Sequence, residues 1–184
     1  MTFSLHDMTA LEAVNAIRAG QMTASAYIAA LLSRIEARES EVQAWQYLDP
    51  QRAFDQAARP DARGDLNGLP LAGVAIVVKD IIDTADMPTE NGTALDAGRR
   101  PSADATVVRL LREAGAVIMG KTVTTELAYM HPARTRNPWH PEHSPGGSSS
   151  GSAAAVAAAW FLSRSVHRRT APLFGPLPFA AYSL

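Results

Sequence analysis

Apolar residues recur along this chain first at helical spacing and later in unbroken runs. That change of rhythm predicts helices at the front and buried strands behind them. Thr9 and Glu12 stand three apart ahead of the first apolar stripe, as in a capping box, and Gly20 supplies a stop, so a helix is expected near 10–19. Thr23 can cap a second helix in which Ile28, Leu31, Leu32 and Ile35 share one face. Residues 42–48 read as extended. Pro50 introduces a short helix near 51–58, and 59–68 is a polar loop. The run LAGVAIVV (71–78) contains a buried strand, 73–78, that delivers Lys79 to its polar end. After a long Gly- and Thr-containing connection, Ser102 or Asp104 caps a helix carrying Val107, Val108, Leu110 and Leu111, ended by Gly115; residues 116–119 are a second buried strand. Helices alternating with wholly apolar strands imply an α/β fold with a covered sheet, the two strands neighbours and the helix between them packed on their face. No internal repeat or domain boundary interrupts the pattern.

Composition narrows the function classes. With 184 residues, 47% of them hydrophobic, the chain is long enough for one domain with a substantial core. A net charge of −1 gives no reason to expect nucleic acid or an anionic membrane as partner. The absence of cysteine excludes disulfides, a thiolate nucleophile and a Cys-ligated metal. The first residues, MTFSLHDMTA, lack a basic region followed by an apolar run, so no signal peptide is expected. No apolar stretch reaches membrane-spanning length, and a cytoplasmic location is the expectation.

Two segments carry candidate chemistry. Lys79 follows a strand that is apolar apart from glycine. Burial there would disfavour the ammonium and leave a neutral amine able to accept a proton; a strand-end lysine can equally snorkel to water. The second segment, GGSSSGSAAAVAA (146–158), begins as a flexible linker would, but it runs directly into an alanine-rich helix, whose N-terminus suits hydroxyls and oxyanions. A third motif is rejected. GAVIMGKT (115–122) satisfies the phosphate-cradling pattern GxxxxGK[ST], but its four variable residues, Ala116 to Met119, make a buried strand instead of an exposed cradle, and a helix precedes them.

Residues 68–80 match G-x-P-x-x-G-V-x-x-x-V-K-D. Gly120 to Ala128 match G-K-T-x-x-x-E-x-A, and Asn137 to Ala157 match N-P-x-x-x-x-x-x-P-G-G-S-S-x-G-S-A-A-A-V-A. In these stretches the chain resembles the amidase signature family, whose centre is a Ser–Ser–Lys triad. The resemblance implies the N-terminal part of an α/β/α sandwich with a mixed, largely buried sheet. By the same match Lys79 is the catalytic lysine and Ser148 the bridging serine, preceded by a cis peptide bond, with Gly146, Gly147 and Ser149 facing substrate. Ser150 stands where many members carry glycine. The implied reaction is cleavage of a carboxamide C–N bond through an acyl-enzyme, with no metal or organic cofactor, on a small-molecule amide. A homodimer is an option the resemblance leaves open for the full-length enzyme.

The resemblance covers residues 1–158 and stops. The family's nucleophilic serine lies further along, in a stretch such as G-M-V-P-L-A-x-G-T-Q-T-x-G-S-V-I-R-P-A-A-F-C-G, whereas residues 159–184 lack that pattern. The genetic code offers a reason. Ala158 to Leu162 can be written GCG GCA TGG TTC CTC; one C inserted after the first GC gives GCC GGC ATG GTT CCT, or Ala-Gly-Met-Val-Pro. In that frame Ser165 to Arg169 can yield Gly-Thr-Gln-Thr, and Leu173 onward can yield Val-Ile-Arg-Pro-Ala-Ala-Phe-Cys-Gly. Residues 159–184 are therefore expected to be an out-of-frame tail left by a single-base deletion near codon 158, poorly packed, on a truncated and inactive chain. Three readings follow. The chain is an amide hydrolase by ancestry, an amidotransferase of the A-subunit type acting on acyl-tRNA (the one case that would bring in nucleic acid), or a non-catalytic binding fragment.

Overall fold

Reciprocal hydrogen bonds open the first helix: the Thr9 hydroxyl accepts from the Glu12 N–H, and the Glu12 carboxylate accepts from the Thr9 N–H. This box starts α1 (Ala10–Arg18), as the spacing predicts. A computed structural model of the chain describes residues 8–158. The expected tail at 159–184 lies outside the described residues. Thr23 caps α2 (Ala24–Glu36), which buries Ile28, Leu31 and Ile35 and leaves Leu32 half-buried at the edge of the same cluster. A one-turn helix, α3 (Glu39–Val42), ends at the first residue of the stretch expected to be extended, 42–48, and Gln43 turns the backbone with φ of 53°. The Glu39 carboxylate holds that turn by accepting from the N–H groups of Ala44 and Trp45, after which β1 (Trp45–Leu48) begins.

Asp49 caps α4, with Pro50 in its first turn, where a missing N–H costs nothing. The helix runs over Pro50–Asp61, past the predicted end at 58. Long-range contact explains the extension. Pro60 is buried, and the Asp61 carboxylate accepts from the Ala24 and Ser25 N–H groups at 2.6 and 2.9 Å, so the end of α4 seals the start of α2. The helix between the later strands, α5 (Thr106–Glu113), has no side-chain cap. Asp104, a candidate for that role, instead accepts from the Ala85 N–H and from Arg112 Nε.

The sheet has the order β1-β3-β2, with β2 (Ala75–Lys79) parallel and β1 antiparallel to the central β3 (Val117–Thr122). Every residue of β3 is buried, which accounts for its length: the strand continues beyond the apolar run through Gly120, Lys121 and Thr122. The sequence GAVIMGKT is thus strand and not phosphate loop. Helices cover both faces. On one side α1, α2, α4 and the last helix, α6 (Ser150–Ala157), pack with Val74, Ala75, Val117 and Met119; on the other, Val108 of α5 and Met87 pack with Val78 and Ile118. The predicted pairing of the two apolar strands, with the intervening helix on their sheet, is the observed arrangement.

Close backbone approach fixes two glycines. A Cβ at Gly120 would lie 2.3 Å from the Tyr47 carbonyl oxygen, and one at Gly151 would lie 2.3 Å from the Ala44 oxygen and 2.4 Å from the Val123 nitrogen. Neither backbone neighbour can swing aside as a side chain could. Gly120→Ala should therefore lower unfolding stability by about 1–3 kcal/mol, read as a fall in the denaturation midpoint. Gly64→Ala, with nothing within 4 Å of the added Cβ, should leave the midpoint almost unchanged.

Candidate active site

Parallel pairing of β2 with β3 sets Lys79 opposite Thr122. Side chains alternate across a strand, so the ends of these strands send polar groups to both faces of the sheet. On the face covered by α6, Lys79 Nζ donates to Ser148 Oγ across 2.7 Å. That is the sole hydrogen bond found for this amine among the described residues, and no carboxylate pairs with it there. Burial holds the Lys79 amine below the ordinary lysine range, because removal from water penalises the charged form. The alternative in which this lysine snorkels to solvent is not what the geometry shows.

The loop that presents Ser148 is tied down from below. The Ser148 carbonyl accepts from the Thr125 N–H at 3.0 Å and from Thr124 Oγ1 at 3.2 Å. The Gly147–Ser148 peptide is cis. Gly146 has φ of 87°, a conformation that favours glycine, and a Cβ on Gly147 would meet the Thr125 methyl at 2.8 Å. Ser149 flanks the start of α6, its carbonyl accepting from the Ala153 N–H and its side chain making no capping bond. The first turn of α6 is stitched to β3: the Gly151 N–H donates to the Val123 carbonyl at 2.9 Å, and Ser152 Oγ lies 2.7 Å from Thr122 Oγ1. The Gly151 N–H is consequently engaged within the fold, unlike the free donor expected of a helix N-terminus that holds an oxyanion. A cavity of about 310 Å³ opens beside Thr124, lined also by Gln46, Glu90, Thr93, Val123 and Arg134. Its charged groups already have partners: Glu90 accepts from Gln46 and from the Gly98 N–H, and Arg134 donates to the Trp45 carbonyl.

On the opposite face, Lys121 and Asp80 form an ion pair that sequence reasoning did not single out. Lys121 Nζ lies 3.3 Å from Asp80 Oδ1, and both residues are fully buried. Lys121 also donates to the Pro88 carbonyl at 3.2 Å and to Thr89 Oγ1. Asp80 accepts from the Glu90 N–H. Burial raises the Asp80 carboxyl and lowers the Lys121 amine, the pairing partly opposing both shifts. One signal was available in composition: of the 17 Lys and Arg residues only two, Lys79 and Lys121, are lysines. Arginine supplies every other basic side chain, so lysine occurs only at the ends of the two paired strands.

The sequence model of the amidase family matches residues 26–162, and this chain belongs to the amidase signature family. Its curated relatives include the A-subunit of glutamyl-tRNA(Gln) amidotransferase from Salinispora arenicola, 41% identical over 163 residues, and its counterpart from Chloroflexus aurantiacus, 42% identical over 163 residues. Each match takes in 84% of this chain and 33% of the relative. The chain therefore spans about a third of the length of the curated relatives it matches. Among solved structures, the peptide amidase of Stenotrophomonas maltophilia superposes with a TM-score of 0.77 at 36% identity, over 84% of this chain and 35% of that one. A fatty acid amide hydrolase superposes with a TM-score of 0.78 at 22% identity, over 86% of this chain and 30% of that one, which shows shared fold alone. Among the described residues, no helix is long and apolar enough to cross a membrane.

The Lys79 surroundings carry a direct expectation. With lysine ¹³C-labelled at Cε, the chain should give two lysine side-chain signals, and that of Lys79 should titrate below the ordinary lysine range, so that the neutral amine is more abundant at a given pH than for an exposed lysine. Titration at the ordinary lysine value would remove the physical basis for Lys79 as a base.

Proposed function

We propose that residues 1–158 form a partial amidase-signature domain carrying the relay half of an amide-cleaving centre, with Lys79 as general base and Ser148 as bridging serine. The observation that carries this reading is the 2.7 Å contact between a half-buried lysine amine and a serine hydroxyl held by a braced loop. In its neutral form the amine accepts the Ser148 proton. Ser148 in turn deprotonates a second serine, the nucleophile, whose motif residues 159–184 as written do not carry. That serine attacks the carboxamide carbon, the amine or ammonia departs with the relayed proton, and water releases the acid. Gly146, Gly147 and Ser149 shape the loop facing the substrate, a small-molecule amide, and the protein acts in the cytoplasm. No step draws on a metal or organic cofactor.

A second reading is a component of an amidotransferase that passes ammonia to an acyl-tRNA. It is favoured by the relatives at 41–42% identity, which are named as the A-subunit of glutamyl-tRNA(Gln) amidotransferase. The two readings share the Lys79–Ser148 relay and differ in what accepts the nitrogen, so assay with and without partner subunits and charged tRNA separates them.

We further propose that residues 159–184 are read out of frame and that this chain alone lacks turnover. The 184-residue chain should hydrolyse carboxamides at no detectable rate, and restoring one base near codon 158 together with the natural downstream reading frame should recover hydrolysis. Lys79→Ala in the restored enzyme should lower kcat/KM on the order of 10⁴-fold or more. Because the base must be neutral, kcat/KM of the restored enzyme should rise with pH through the Lys79 titration and fall away below it. Ordinary turnover by the 184-residue chain, persisting in Lys79→Ala, would overturn both the triad and the frame assignments.

A further inference from the structure

The chain's two lysines sit at the ends of paired strands, and Asp80 stands beside one of them in sequence and the other in space. Asp80 directly follows Lys79, yet Asp80 meets Lys121 at 3.3 Å, while the Lys79 amine meets Ser148. Alternation explains how neighbours take different partners: Lys79 projects toward α6, and Asp80 projects toward the loop at 84–91, where Pro88, Thr89 and the Glu90 N–H complete the polar shell. The Asn91 N–H donates to the Asp80 carbonyl and the Asp80 N–H donates to the Thr122 carbonyl, so its backbone is held on both sides as well.

We propose that Lys121 is a positioning residue that sequesters Asp80 on the far face of the sheet and so leaves the adjacent Lys79 amine without a competing carboxylate and directed at Ser148. The inference rests on Lys79 being the base. A carboxylate without a partner, adjacent in the chain to a half-buried lysine, would draw that lysine into an ion pair and stabilise its protonated form, which cannot accept a proton. A buried ammonium satisfied by the carboxylate, a carbonyl and a hydroxyl removes that competitor. The other charged groups acting on the pair are Glu90, which opposes the Asp80 carboxylate, Arg99, which favours that carboxylate and opposes the Lys121 ammonium, and Asp83, which favours the ammonium. Asp83 and Arg99 are bound to each other through a two-pronged contact at 2.8 and 3.0 Å, and they act on Lys121 in opposite senses. Asp80 is the charge that Lys121 contacts directly.

The test is the ¹³Cε titration of Lys79 in the full 184-residue chain and three variants, which reads ionisation without requiring turnover. In Lys121→Met, Asp80 loses its cation, and Lys79 should titrate about one pH unit or more higher than in the parent chain. In Asp80→Asn the pair is equally broken, but no carboxylate remains and Lys79 should not move upward. A purely structural role would shift Lys79 the same way in both variants, so this difference in response separates charge sequestration from packing. The double variant Asp80→Asn/Lys121→Met, which buries no charge, keeps the test decisive should Lys121→Met fail to fold; Lys79 should titrate there as in the parent. An unmoved Lys79 in folded Lys121→Met, or an upward shift in Asp80→Asn or in the double variant, overturns the proposal. An ordinary lysine titration in the parent chain instead overturns the base assignment itself.

Discussion

Everything at the site depends on how closely α6 sits on the end of β3. Gly151 has no side chain, so the first turn of the helix rests directly on strand backbone, its N–H bonded to the Val123 carbonyl. The Ser152–Thr122 hydroxyl contact lies one residue to either side of that bond. Because Thr122 is the register partner of Lys79, a helix fastened at 122–123 also brings the preceding loop to the lysine. A displacement of the helix by the width of a methyl group would break a 2.7 Å hydrogen bond, since such bonds weaken steeply once lengthened. The loop carrying Ser148 then needs only its carbonyl anchored, which Thr124 and Thr125 supply.

The sheet separates two amines by their solvation and their partners. Both lose water, and for both that loss favours the neutral form. Lys121 recovers much of the lost stabilisation from a carboxylate and two oxygens. Lys79 recovers little, having a hydroxyl and no counter-charge among the described residues. Burying an ion pair is seldom a net gain in stability, and breaking one by deleting a partner costs about 3–5 kcal/mol. Folding stability by itself therefore gives little reason for this pair to be buried beside Lys79.

Much of the scaffold is legible in the sequence because local rules and tertiary packing agree there. Thr9 with Glu12, Thr23, the 73–78 run and the 116–119 run each say the same thing in propensity, spacing and observed burial. The differences occur where a distant contact decides. Nothing local announces that Asp61 reaches α2, so the pattern alone makes α4 shorter than it is. Asp104 is drawn off its expected cap by Ala85 and Arg112, which are 19 and 8 residues away. The candidate site is partly legible: Lys79 and Ser148 stand out by their motifs and lie in contact. Lys121 is visible in a false phosphate loop and in the Gly120–Ala128 match, but neither marks it as buried, because a lysine after an apolar run reads as the place where a strand reaches water. Its burial depends on Asp80 at the end of β2 and on Pro88 and Thr89, which arrive from a loop whose path local sequence does not specify.

The confinement of lysine to these two positions has a consequence for how the molecule meets proteases. An endopeptidase that cuts only after lysine finds two scissile bonds in the whole chain, both at strand ends within the sheet. One follows a fully buried residue, and the other precedes the buried Asp80, whose N–H is bonded to Thr122. Neither bond can enter a protease cleft, which requires an extended and accessible segment, until β2 and β3 separate. For such an enzyme, digestion of this chain is a measure of how often the sheet opens.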